Sequence, residues 1–252
     1  MILAEFWFMA PLLALLAGLW ALAPLGRQVL LRGVVFIDLA VAQSAAAAAL
    51  LISVWLDHPE TWSTQLAALI GALAAAGLVA WLSRRVPTQR EALIGLVYVA
   101  AACVAMLSAR ADPHGRERMA ELLAADVLWV TWSQASLLAA CAVLVWLLRG
   151  RCSRDTWFYP LFALVASVAV PILGLFVVFA LLIAPALWWP QGAGRAMLAA
   201  GCTLTMGLGI SGWLDAPSGV CVALSLAALG LVRGFATGGQ AFGDSPSAND
   251  QR

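Results

Sequence analysis

Long apolar runs separated by short polar breaks repeat along nearly the whole chain, near residues 6–24, 34–56, 62–82, 92–109, 126–148, 157–188, 196–213 and 218–236. Runs of about 20 residues can cross a hydrocarbon core of roughly 30 Å as helices, so the pattern predicts an all-α, polytopic bundle of about eight spans. A transmembrane barrel would show short segments alternating apolar with polar, whereas these runs are continuous and rich in Leu and Ala. The sixth run is too long for one straight crossing and contains Pro160, Pro171 and Pro185, so it is expected to be kinked or broken. Residues 1–236 thus form the membrane domain. The tail 237–252 carries too little apolar surface to offset the entropy of ordering and is expected to be disordered.

Composition agrees: 63% of residues are apolar, 11% are charged, and the mean hydropathy is +0.94. Every basic residue is Arg. Arg27 and Arg32 fall in the first connection, Arg84, Arg85 and Arg90 in the third, and Arg149, Arg151 and Arg154 in the fifth. The positive-inside bias assigns these alternate connections to the cytoplasm and, with eight crossings, both termini to the opposite side. The first run lacks a basic n-region and reads as a retained span, not a cleaved signal. A multi-pass membrane protein is expected.

Candidate chemistry is sparse. Cys103, Cys141, Cys152, Cys202 and Cys221 are scattered without CxxC spacing and four fall within predicted spans, so neither a zinc knuckle nor a disulfide framework is supported. No phosphate-cradling glycine loop, nucleophile elbow or HExxH occurs, so the chain reads as no enzyme, with no cofactor of its own, and any energy source is separate. Nucleic acid is not expected as a partner. His58 and His114 fall in outer connections; both read foremost as solvated loop residues, with metal capture at the outer mouth the weaker alternative for His58.

One stretch breaks the apolar pattern. "RGVVFIDLAVAQSAAAAALL" places a carboxylate, Asp38, and an amide, Gln43, inside a run built to avoid water. Intramembrane acids generally face a pathway or a partner. Asp38 also lies about one turn inside the span, where it could pair with Arg32 and favour the helix N-terminus. The two readings carry equal weight here. Gln43 reads first as an interhelical hydrogen-bond donor, because five residues of helix leave it roughly 140° around the axis from Asp38.

Four stretches, in order, bear on a family: "LLRGVVFIDLAVAQSA", "EALIGLVYVAAACVAML", "ELLAADVLWVTWSQ", and the pair "VPILGLFVVFALLIAPALW" and "GISGWLDAPSGVCVAL". Together they resemble the permease subunit of the zinc/manganese class of ATP-binding-cassette importers. The resemblance implies a homodimeric pore that carries a divalent metal as substrate, docks on cytoplasmic ATPase subunits and is fed by an extracytoplasmic metal-binding protein. It implies that Asp38, with Gln43, lines the metal path and that Arg149, Arg151 and Arg154 touch the ATPase.

The chain departs from the family twice. Members carry a His four residues beyond the second-helix acid, where this chain has Ala42. Their fifth connection is longer and holds a short amphipathic coupling helix, whereas "LLRGRCSRDTWFYP" leaves no room for one. Mn²⁺ accepts carboxylate and amide oxygen whereas Zn²⁺ would miss its nitrogen ligand, and the motif leaves zinc and manganese both open. The turn "LDAPSG" reads foremost as a structural cap. The alternative function is a membrane scaffold or accessory protein on the same fold that no longer moves metal.

Overall fold

The computed structural model describes residues 9–55, 61–86, 89–111 and 125–241. Among them nine helices follow one another: α1 (Met9–Arg32), α2 (Ile37–Trp55), α3 (Thr61–Arg85), α4 (Arg90–Ala111), α5 (Trp132–Leu148), α6 (Asp155–Leu173), α7 (Leu175–Trp188), α8 (Ala193–Leu214) and α9 (Ser218–Ala241). Short 3-10 turns at Val127–Trp129 and Trp189–Gln191 precede α5 and α8. No strand occurs among the described residues. Six of the helices are long and apolar enough to cross a membrane, while α2, α5 and α7 are shorter apolar helices. The chain is a polytopic helical bundle.

Helix α1 occupies the centre. It packs on α5 and α7 and reaches α6 and α8, with Leu15, Leu19, Leu22 and Leu25 almost fully enclosed. Its closest approach is to α7, where a Cβ on Gly26 would stand 1.9 Å from the Leu182 carbonyl oxygen, so only glycine lets the two backbones touch. Helices α2, α3 and α4 form a second group, attached mainly through α3 on α6. Ala-rich faces, among them Ala72, Ala75 and Ala76, line the joints of this group.

The long sixth run breaks, and the break sets the topology. Gly174 separates α6 from α7 at φ 81° and ψ 151°, a conformation that side chains with a Cβ resist. The start of α6 is tied to Arg32 through Asp155, while the turn after α7 places the Trp189 ring 5.7 Å from the Arg27 guanidinium. Both ends of the run therefore meet the C-terminal end of α1, and the chain reverses at Gly174. The reversal adds a crossing and corrects the expected sidedness of the C-terminal part. Arg233 near the end of α9 lies over Trp188, 5.8 Å from its ring, and the Trp188 indole donates to the Leu229 carbonyl at 3.1 Å. Helix α9 thus ends on the side of Arg27 and Arg32, not opposite them. It runs to Ala241; the rest of the polar tail lies outside the described residues.

Arg27, Arg32, Arg84, Arg85 and Arg90 are joined at this end by Arg149, Arg151, Arg154, Arg195 and Arg233. Ten of the chain's fourteen arginines are gathered there, whereas Arg110 falls at the opposite end of α4. The positive-inside bias makes the arginine-rich end the cytoplasmic one.

Candidate functional site

The polar break in the second run begins at the tight turn 33–36. Arg27 and Arg32 prove to be the last turns of α1, and Gly33, at φ 59°, lets the chain double back into α2. Asp38 then falls in the first turn of α2, 1% exposed, and neither carboxylate oxygen has a hydrogen-bond partner. Enclosing an unpaired acid costs several kcal/mol unless a partner arrives or a proton neutralises it. Asp38 is therefore an acceptor that no other helix supplies with a donor among the described residues; only the backbone N–H groups of its own turn, at Asp38 and Leu39, stand near it.

Arg32 is not that donor, which corrects the pairing considered from the sequence. Its Nε donates to Asp155 Oδ1 at 3.1 Å, and a terminal nitrogen donates to the Gln28 side chain at 2.6 Å. The other terminal nitrogen reaches the Cys152 and Ser153 carbonyls, each at 2.9 Å. The guanidinium also lies 4.2 Å from the Phe158 ring centre. Planar, with its donors in a fixed fork, Arg32 serves as a clasp for the connection between α5 and α6. Sequence could not show this, because Asp155, Cys152 and Ser153 lie more than a hundred positions away.

A second acid reaches the start of α2. Glu91 on the first turn of α4 accepts the Val35 backbone N–H at 2.8 Å through Oε1, and its Oε2 is buried without a partner. Sequence reasoning quoted this acid as part of a motif but gave it no role. An acid beside a helix start relieves the unsatisfied N–H groups there. Two carboxylates thus converge on one helix end. Gln43 is buried further along α2, its Oε1 also unpaired, and it makes no hydrogen bond to another helix among the described residues. Ala42 is buried beside it. No group of three or more His, Cys, Asp or Glu side chains able to hold a metal forms among the described residues. His58 and His114 lie outside them.

The fifth connection is a run of turns between Leu148 and Asp155 with no helix in it. Arg149, Arg151 and Arg154 are all exposed there, Arg149 lying 4.8 Å from the Trp146 ring centre and Arg151 5.9 Å from that of Trp157. Cys152 turns inward, its thiol donating to the Leu148 carbonyl, and burial pushes that thiol above its ordinary range although Arg32 pulls the other way.

At the opposite end two of the motifs meet. The Ser218 hydroxyl bonds to Asp126 at 2.5 Å, and Gly219 passes so close to the Ala125 carbonyl that no side chain would fit. Asp215 caps α8 in the left-handed conformation at φ 51°, and Ser211 bonds to the Ala216 carbonyl. "LDAPSG" therefore terminates α8 and seats α9 on the approach to α5.

A multi-pass helical bundle with acids enclosed at one helix end has the organisation of a membrane transport subunit. The family profile of the ABC 3 transport family matches residues 4–155, and the chain belongs to that family. It is accordingly a permease of the ATP-binding-cassette type, as the motifs suggested. The match ends where α6 begins, so the two C-terminal motifs lie beyond it. Among solved structures the fold is similar to a chain of "PsaBC from Streptococcus pneumoniae in complex with Fab", with a TM-score of 0.69 and 16% identity over 89% of each chain. No curated protein matches the chain.

Proposed function

We propose that the chain forms the translocation path of an importer for a divalent metal ion, zinc or manganese, driven by a separate cytoplasmic ATPase. The observation that supports this most is Asp38: a carboxylate enclosed in a membrane permease with both oxygens unpaired. A passing cation supplies the missing positive charge, and in a low-dielectric setting that compensation is far stronger than in water. Glu91 adds a second acid at the same helix end and Gln43 an amide oxygen deeper in α2. With Ala42 in place of an imidazole the donors are all oxygens, which favours Mn²⁺ over Zn²⁺. The remaining assembly is a homodimer in a bacterial inner membrane, with an extracytoplasmic metal-binding protein delivering the ion. Arg149, Arg151 and Arg154 form part of the ATPase-facing surface.

One observation favours the scaffold reading. The fifth connection has no coupling helix, and Arg32 holds it rigidly to α1 and α6. The two readings separate by co-purification: the chain, expressed with an ATP-binding-cassette ATPase subunit from its own genome, should retain that subunit through affinity purification. Reversing charge at Arg151 and Arg154 should weaken retention. A chain that never retains an ATPase is a scaffold.

A further inference from the structure

We propose that the face formed by α1, α5 and α8 is a binding site for one anionic diacyl phospholipid of the cytoplasmic leaflet, its two acyl chains in two adjoining grooves and its phosphate on Arg149. The grooves have volumes of about 780 and 540 Å³. The first runs between α1 and α5 and is apolar apart from Ser136 and Arg149; the second runs between α1 and α8. They share Leu16, Trp20 and Trp146, so they flank a single ridge as two chains flank the glycerol of one lipid.

The ridge is built in from the sequence. Pro24 has no N–H, so the Trp20 carbonyl one turn earlier loses its helical partner. The Trp146 indole takes that place, donating to the Trp20 carbonyl at 3.2 Å with the two rings 5.2 Å apart. Both indoles are thereby fixed between the grooves. Arg149 stacks on Trp146 at the cytoplasmic end of the first groove, and Arg27 lies over Trp189 at the same end of the second.

Charge selects the occupant. Arg149 has no carboxylate partner among the described residues. Of the acids placed at this end, Asp38 is enclosed, Glu91 accepts from Val35 with its other oxygen buried, and Asp155 is paired with Arg32, so none is free at the surface. A second copy of the chain seated here would bring further arginines to the same level and no described free acid to meet them. A phospholipid supplies its own anion at the depth of Arg149 and apolar chains that fill the grooves.

The test uses the full chain purified in a neutral detergent, with phosphatidylglycerol, phosphatidylcholine and inorganic phosphate as separate probes, read by native mass spectrometry and thermal shift. Phosphatidylglycerol should give a retained one-to-one adduct and raise the melting temperature; phosphatidylcholine and inorganic phosphate should do neither. Arg149→Gln should cut phosphatidylglycerol affinity about fivefold, the loss of one basic contact. Ala139→Trp, which fills the first groove without touching Arg149, should cut it as well. Equal retention of phosphatidylglycerol and phosphatidylcholine, retention unchanged by both substitutions, or loss of self-association on Ala139→Trp with lipid binding intact would each overturn the assignment.

Discussion

Asp38 and Arg32 are near in sequence and opposite in charge, yet the structure sends them to different work, and their substitutions should behave oppositely. Arg32 bonds to Asp155, Gln28 and two carbonyls of the fifth connection. Replacing it with Gln removes the charge-assisted bonds and should lower stability by about 2 kcal/mol, seen as an earlier melting transition in detergent. Asp38 has no such bonds, so Asp38→Asn removes an enclosed unpaired charge and should leave the transition unchanged or raise it. A fall on Asp38→Asn comparable to that of Arg32→Gln would mean that the acid is a structural residue. At this scale sequence revealed the anomaly of Asp38, because a lone acid stands out in an apolar run. The clasp of Arg32 and the capping by Glu91 were illegible, since both depend on which distant helix arrives beside the turn 33–36.

Helices were the most legible elements, because a membrane demands long apolar runs whose backbone bonds close within each segment. The boundary errors have local causes. Arg27 and Arg32 looked like loop residues but extend α1, since a guanidinium on a long stem can end a helix at the interface. The sixth run was legible as broken through its prolines, but the reversal is made by Gly174, whose positive φ no proline pattern discloses. Packing between elements gives a paired test. Gly26→Ala drives a methyl into the Leu182 backbone and should cost roughly 3 kcal/mol or more, whereas Gly77, with nothing within 4 Å of its would-be Cβ, should accept Ala with a gain of up to about 1 kcal/mol. Equal melting temperatures for the two variants would refute the close crossing of α1 and α7. The fifth connection is testable through its thiol. Burial pushes the Cys152 thiol up, so less thiolate is present at neutral pH, and a variant with Cys152 as its one cysteine should react slowly with a maleimide. Arg32→Gln in that background should speed the reaction by releasing the turns, even though it removes a charge that favours the thiolate.

For the whole molecule, the reversal at Gly174 decides which surface faces the cytoplasm. It brings Arg195 and Arg233 to the arginine-rich end, so charge and topology agree over the C-terminal helices; an unbroken sixth span would have stranded both on the far side. Single cysteines at Phe235 and Arg151 should therefore label from the same side of sealed vesicles, and one at Asp215 from the other. Labelling of Asp215→Cys together with Arg151→Cys, with Phe235→Cys labelling from the other side, would restore the eight-crossing arrangement. The central functional claim is that a metal ion passes Asp38, and radiometal uptake tests it most directly. Cells expressing the chain with its ATPase, and with Asp38 or Asn at equal membrane abundance, should differ completely: ATP-dependent Mn²⁺ uptake with Asp38, and uptake at the level of cells lacking the chain with Asn. Uptake by Asp38→Asn equal to that of the wild type would contradict the account.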